Sequence, residues 1–360
     1  MRILMLNYEF PPLGGGAAPV SYEIAKGYVK LGHRVSVVTM GYKGLAKFEK
    51  VDGIDVYRVP CLRSKKEICH PHEMLSYIVS AKKFLRKHLK ENKYDVNHTH
   101  FIIPTGVVSL WVKKKFGIPY IVTSHGSDVL GYNKRFDKLY PLVSGIWKKV
   151  IREAKVVTTP SKFLQNEIKK ITSDGNFVVI PNGIDPEKFK PMKKEKYILC
   201  VARFFKNKGI QDLLRALEGL DLKEWKVKVV GDGPYKNVLV RLRDYLGLED
   251  KVEFLGWIDN KSKEMKKLYG HASVFVCPSH FENMSVVLLE ALVSGCYVLA
   301  TNVGGNPEVV PKEGLFETKN IQKLKECFSE FIANSKKYMT LNEKFYWDNI
   351  LEKYIEVLKK

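Results

Sequence analysis

The sequence predicts an α/β protein of two doubly wound domains, each a parallel sheet wrapped by crossover helices. Three observations predict it. Short β-branched runs alternate with amphipathic stretches of helical length, and strands separated by such helices pair in parallel. The alternation occurs twice, on either side of the lysine- and proline-bearing stretch "DPEKFKPMKKEK" at 185–196, which reads as a linker. Residues able to do chemistry also gather just after the predicted strands, the edge at which doubly wound sheets take ligands. At 360 residues the chain has room for two domains of ordinary size, placed at 1–186 and 187–337.

The first series opens with "RILMLN" as a strand and 17–31 as a helix, followed by "RVSVVT" and "DVYRV" as strands. The stretch 76–91 is a basic amphipathic helix. "DVNHTH" and "PYIVTS" are strands with a helix near 107–116 between them. Then come a helix over 137–153, the strand "KVVTTP", a helix over 161–171 with Ser161 as N-cap, and "FVVIPNG". The second series runs through "YILCVA", helix 209–218, "KVKVVG", helix 235–246, "VEFLG", helix 261–269, "SVFVCPS", an apolar helix from Val286 and "YVLA".

Hydrophobic content of 45% suits a protein with real cores. The six cysteines show no CxxC and no ligand spacing, so they read as reduced residues of a cytoplasmic protein, with no metal site. The start, "MRILMLNYEF", lacks the apolar region and cleavage site of a signal peptide. No apolar run is long enough to span a membrane. Net charge is +21, and residues 1–190 hold most of it, with 32 Lys and Arg against 16 Asp and Glu. Such a field favours an acidic partner such as anionic lipid or a phosphorylated substrate; lysine-rich composition is the plain alternative. A nucleic-acid binder would carry a reader motif, and none is recognisable.

The strand-end residues form two sets. In the first half they are Gly15 and Gly16, His98 and His100, and "SHGSD" with His125 and Asp128. The loop "FPPLGGGAAP" does not match G-x-G-x-x-G, and no acid closes "RVSVVT" to hold a ribose, so this is not a dinucleotide-binding pattern. Glycines there either let backbone approach a ligand or form a plain turn. His98 and His100 share a strand face without a third ligand nearby, which favours a structural role over a metal. In the second half the set is Arg203 and Lys208, "GDGP", Glu282 and "NVGGNPE". Two cations beside a helix start suit a diphosphate, and a surface ion pair is the alternative for Lys208. Glu290 stands in the middle of an apolar helix, where a carboxylate needs a partner, either protein or ligand.

Taken together these motifs resemble the nucleotide-sugar glycosyltransferases of the GT-B fold, in particular family 4, the retaining glycogen-synthase-like group. The resemblance covers nearly the whole chain: "PPLGGG", "HGSD", "PNGID" with Phe189, "VARFFKNKG", "VVGDGP", "VEFLG", the Glu282–Glu290 pair and "VGGNPE" stand in family order. It implies two Rossmann-like domains facing across a cleft, with the terminal stretch 338–360 crossing back onto the first and Trp347 and Tyr354 as packing anchors. It also implies roles. Arg203 and Lys208 hold the donor diphosphate, and Glu290 binds the ribose hydroxyls. Glu282 meets the donor sugar, and backbone amides of Asn283, Met284 and Ser285 meet phosphate and sugar. His125 lines the sugar near the acceptor, and Gly15 and Gly16 allow approach to the diphosphate or acceptor. Ala202 stands where the family often has glycine, and "ENMS" replaces "EGFG", which alters the rim of the sugar pocket.

The implied reaction moves a sugar from a nucleoside-diphosphate sugar, of UDP or GDP type, to an acceptor hydroxyl with retained anomeric configuration. No cofactor or metal is implied, because cations and helix-end amides meet the leaving diphosphate. In the family the leaving phosphate takes the acceptor's proton, so no separate base is assigned, and domain closure excludes water. The acceptor is a sugar or a lipid-linked molecule. On the helix at 76–91, Lys82, Lys83, Arg86, Lys87 and Lys90 lie opposite an apolar side; they form either an ordinary solvated helix face or a face for anionic lipid or a lipid-phosphate acceptor, and the second would place the enzyme peripherally at the inner membrane surface. Two rivals share the motifs: a sugar-nucleotide-binding protein, and another enzyme of this architecture such as an epimerase.

Overall fold

In the computed structural model, which describes residues 1–131, 140–334 and 338–360, the chain separates into two units. One comprises Met1–Asn182 with Trp347–Lys360, and the other Gly183–Tyr346. The sequence expectation had set the divisions at 186/187 and 337/338. The stretch read as a linker packs into the second unit: Phe189 lies in its core, and its ring meets Tyr269 edge-on at 5.4 Å. Lys194 Nζ donates to the carbonyls of Gly270 and Ser294 at 3.0 and 2.6 Å. Lysine-rich composition hid these contacts, because the stems and single apolar residues do the packing.

The first unit begins β1 (Arg2–Leu6), α1 (Ala17–Lys30), β2 (Arg34–Met40), β3 (Phe48–Val51), β4 (Ile54–Val59), α2 (Pro71–Glu91), β5 (Val96–His100) and α3 (Thr105–Phe116). It continues with β6 (Tyr120–Thr123), α4 (Tyr140–Glu153), β7 (Val157–Thr159), α5 (Lys162–Lys169) and β8 (Phe177–Val179). Its sheet has the order β3-β4-β2-β1-β5-β6-β7-β8, parallel except for β3. β5 and β6 are buried at every position, as strands covered on both faces must be. The hairpin strand β3 was not expected. Its signal is "VDGI", where Asp52 and Gly53 both take positive φ, as a tight hairpin turn requires. α2 starts five residues earlier than the periodicity suggested: Pro71 fits a first helical turn, and Glu73 accepts from the His70 amide at 2.7 Å. The first three residues of the helix expected over 137–153 lie outside the described residues.

The second unit comprises β9 (Glu195–Val201), α6 (Ile210–Leu217), β10 (Lys226–Val230), α7 (Lys236–Tyr245), β11 (Val252–Gly256) and α8 (Lys263–His271). Then follow β12 (Ala272–Cys277), α9 (Val286–Val293), β13 (Tyr297–Thr301), β14 (Leu315–Phe316) and α10 (Ile321–Asn334). Its sheet is parallel, in the order β11-β10-β9-β12-β13-β14. β14 is too short to read from sequence. α10 was missed although Leu324, Phe328 and Phe331, all buried, repeat at helical spacing.

The last helix, α11 (Trp347–Lys359), belongs to the first unit. Ile350, Leu351, Tyr354, Val357 and Leu358 form its buried stripe, while Trp347 is only half-buried. Burying five such side chains is worth on the order of 10 kcal/mol gross, before chain entropy is subtracted. Leu351 seats on α1 at Gly27, where an added Cβ would fall 2.3 Å from Leu351 Cδ1. Gly27→Val should therefore destabilise the protein by about 1–3 kcal/mol in a denaturant melt. Combined with Leu351→Ala, it should cost less than the sum of the two single changes. Strict additivity would mean that α11 does not rest on this face.

Candidate functional site

In the second unit β9 and β12 are neighbours, and the chain leaves β9 towards β10 but leaves β12 in the opposite direction, towards β13. The loops after β9 and β12 diverge there, and the crevice between them is where doubly wound sheets bind ligands. The β9 loop carries Arg203 and Lys208. The β12 loop carries Glu282, Asn283, Met284 and Ser285. Both loops are held by backbone. Gly209 has φ +70°, and a Cβ there would fall 1.8 Å from the Pro278 carbonyl oxygen. Gly304, from the β13 loop, has φ +58° and its Cβ would fall 1.6 Å from the Glu282 carbonyl oxygen. Only glycine fits either place.

Side chains complete the clamp. The His280 amide donates to the Asn207 carbonyl at 2.8 Å, and its Nε2 lies 2.5 Å from Asp212 Oδ2 on α6. Lys208 Nζ lies 2.6 Å from Glu282 Oε1, with both side chains mostly buried. Two residues expected to meet different parts of a ligand therefore meet each other. Arg203 is exposed; its guanidinium stands 5.3 Å from the Phe205 ring centroid and has no acidic partner among the described residues. The Met284 side chain is buried, so only its backbone is offered to a ligand. Ser285 precedes α9 in extended conformation, and its side chain makes no cap hydrogen bond.

Glu290, on the second turn of α9, is 2% exposed. Asn260 Nδ2 donates to its Oε1 at 2.7 Å. Its Oε2 is buried and makes no hydrogen bond of ordinary geometry, nor does the Tyr269 hydroxyl beside it, although that hydroxyl is near enough to pull on the carboxyl as a donor. Burial pushes the Glu290 carboxyl up to about 7, against the pull of Asn260 and of the Tyr269 hydroxyl. The carboxylate that the sequence singled out is thus met by protein at one oxygen and open at the other. Asn260, His280 and Asp212 escaped the sequence reading. His280 stands two residues before Glu282 and could have been found by that proximity, whereas Asn260 and Asp212 have no local signal.

In the first unit Gly15 and Gly16 stand just before α1. The Gly15 amide donates to Glu9 Oε2 at 3.3 Å, so that amide is engaged within its own loop. Nothing lies within 4 Å of where a Gly16 Cβ would be. His125 follows β6. Asp128 fixes its backbone by accepting from the amides of His125 and Gly126 at 3.1 and 2.9 Å, from Ser124 Oγ at 3.0 Å and from the Ile102 amide at 2.7 Å. His125 Nε2 lies 3.0 Å from His100 Nδ1, and the His98 ring stacks on His100 at 4.4 Å. Among the described residues no group of three or more His, Cys, Asp or Glu could hold a metal ion, and no helix is long and apolar enough to cross a membrane.

Comparison with known proteins assigns this architecture. Residues 14–188 match the model of Glycosyltransferase Family 4, and residues 183–346 that of Glycosyl transferases group 1. An uncharacterized glycosyltransferase of Methanocaldococcus jannaschii is 31% identical over 100% of this chain and 98% of its own. The alpha-monoglucosyldiacylglycerol synthase of Acholeplasma laidlawii is 26% identical over 99% of this chain and 96% of its own. Among solved structures, Anabaena HepE in complex with UDP superposes with a TM-score of 0.80 at 20% identity, covering 100% of both chains. Two Rossmann-like units in tandem, both family models and a full-length relative agree: the chain belongs to the family 4, group 1 glycosyltransferases of the GT-B fold.

Proposed function

We propose that the protein is a retaining, metal-independent transferase that takes its sugar from a nucleoside diphosphate bound at the β9–β12 edge of the second unit. The observation that carries this reading is Glu290, a buried carboxylate with one oxygen unpartnered. Ribose hydroxyls are donors of the right kind to complete it. Arg203 and Lys208 hold the diphosphate, with Lys208 bridging phosphate and Glu282; Glu282 and the amides of Asn283, Met284 and Ser285 meet the sugar. HepE, of the same fold, is seen with UDP.

As the bond from the anomeric carbon to the diphosphate breaks, its electron pair leaves with the phosphate. The two cations oppose that growing charge. The acceptor oxygen bonds to the anomeric carbon on the same face, and its proton passes to the departing phosphate oxygen. Gly16 and His125, on the first unit, serve the acceptor side, as does Gly15 through its backbone fold.

A specific observation favours a lipid-linked acceptor at an anionic membrane. Leu75, Val79, Lys83, Arg86 and Lys90 form one exposed stripe along α2, apolar at its start and cationic at its end, and Leu62 is exposed beside it. The Leu62 amide donates to Ser76 Oγ at 3.0 Å, which ties its loop to the apolar end of the stripe. Such a face inserts apolar side chains while its lysines meet lipid phosphates. The Acholeplasma relative is a synthase of a glucosyldiacylglycerol lipid by name.

Glu290 supplies the sharpest test. Its carboxyl is about 7 in the folded chain against the 4.5 of an unburied glutamate, so the folded state holds the proton more tightly. Stability is then lost as pH rises from 4.5 towards 7 and stays low above it. Glu290→Gln removes that loss. Above pH 7 it should stabilise the protein by on the order of 3 kcal/mol while weakening donor binding about 10–100-fold. A variant that is destabilised, or that binds donor as the parent does, contradicts the assignment. Turnover should persist in excess EDTA, with a product that keeps the donor's anomeric configuration by NMR; strict metal dependence or inversion contradicts the mechanism. Vesicles containing phosphatidylglycerol should capture the protein in flotation where neutral phosphatidylcholine does not. Leu75→Asp with Val79→Asp, or charge reversal at Lys83, Arg86 and Lys90, should each abolish capture; unchanged flotation removes α2 as the docking face.

A further inference from the structure

Two loops of the first unit meet at a buried guanidinium that the proposed reaction has not used. One is the glycine loop, 7–16, between β1 and α1; the other is 60–70, between β4 and α2. The Arg63 side chain is fully buried. Its planar fork is spent on main-chain oxygen. Nε donates to the Lys65 carbonyl at 3.0 Å, Nη2 to the Lys66 carbonyl at 2.8 Å and Nη1 to the Tyr8 carbonyl at 3.4 Å. Nη1 also lies 3.2 Å from Met40 Sδ. The Lys66 carbonyl is shared, because it accepts from the Gly14 amide at 2.8 Å as well. Glu9, the ion-pair partner among the described residues, stands off at 3.9 Å.

A buried cation is costly, and an apolar side chain of like size would fill the space at less cost. What an apolar side chain lacks is donors in fixed directions. Arg63 holds the glycine loop at both ends of a short span: directly at Tyr8, and at Gly14 through the Lys66 carbonyl. The span is tightly folded. Gly14 has φ +102°, and a Cβ there would fall 2.6 Å from Glu9 Cβ. We propose that Arg63 is a positioning residue: it fixes the backbone of 8–14 and thereby the place of Gly15 and Gly16.

The holder is itself held. The Ser64 amide and Oγ donate to Glu73 Oε1 at 2.7 and 2.8 Å, and Glu73 is buried in the first turn of α2. The glycine loop therefore takes its form from α2 by way of one side chain. Lysine cannot replace it, since a single ammonium on a flexible stem lacks the planar fork that reaches carbonyls of two segments. The consequence for the reaction rests on the acceptor-side reading of the glycine loop given above; the hold on that loop does not.

The test is amide hydrogen exchange of the full chain, free of ligand, read at Gly14 by NMR in the parent and in Arg63→Lys. Gly14 should be protected in the parent, and Arg63→Lys should speed its exchange about tenfold, one hydrogen bond's worth, while amides of β5 keep their rates. Unchanged exchange at Gly14 overturns the proposal. So does native parent protein in which phenylglyoxal modifies Arg63 as fast as the exposed Arg86, a result that needs no variant to fold. Transfer is then followed with UDP-glucose as donor and diacylglycerol in phosphatidylglycerol vesicles as acceptor. Arg63→Lys should raise the acceptor KM about tenfold, with UDP affinity and vesicle capture unchanged within about twofold; a general loosening of the fold would not split them. If Gly14 exchanges faster but the acceptor KM stays at the parent value, the hold stands and the acceptor-side role of the glycine loop fails.

Discussion

A carboxylate buried in the apolar heart of α9 sets the terms for the second unit. Glu290 is surrounded by Leu288, Leu289, Ala291 and Leu292, all 1% exposed or less, and it has a single good donor in Asn260. A folded chain gains nothing from such an arrangement by itself; burial raises the carboxyl and the second oxygen goes unmatched. An arrangement that destabilises the free protein and would be relieved by a ligand is the mark of a binding site rather than of a core. The rest of the edge is built at the same place, one loop away.

That edge is rigid for reasons of backbone. Gly209 lets the β9 loop touch Pro278, and Gly304 lets the β13 loop touch Glu282. Three loops from neighbouring strands are therefore in close contact, with the His280–Asp212 contact and the Lys208–Glu282 pair adding side-chain ties between them. The pair also tempers the site. A lysine and a glutamate neutralise each other, while Arg203 in the same β9 loop is an exposed cation without an acidic partner among the described residues. A diphosphate arriving there finds one exposed guanidinium and an ammonium already positioned by its carboxylate.

Much of this was legible because its signals are local. Glu290 declared itself by standing inside "VVLLEALV", and Arg203, Lys208 and Glu282 by following strands. Contacts across long stretches of sequence were not legible. Lys208 and Glu282 are 74 positions apart, and nothing in either neighbourhood announces that they bond. Asn260 reaches Glu290 across 30 residues in the same way. The boundary stretch 185–196 misled because composition suggests solvent, while Phe189 is buried and Lys194 bonds to backbone of the second unit. The α2 face misled in the other direction. Its lysines were visible, but the exposed Leu75 and Val79 one turn earlier gain meaning only once burial is known. The His100–His125 contact needed β5 in register against β6 before two ordinary histidines came within hydrogen-bond distance.

The central claim is that Glu290 is completed by a ligand's hydroxyls, and protons report it most directly. Hydroxyls donating to both oxygens favour the ionised form, so binding should expel the proton that burial retains. Calorimetric titration with nucleoside-diphosphate sugars near pH 6, in buffers of different ionisation enthalpy, counts that proton, and a sugar nucleotide adds no titration of its own in this range. The account predicts release of nearly one proton per donor bound at pH 6, falling towards zero by pH 8, and none from Glu290→Gln. Tight binding with no proton released at pH 6 would contradict it.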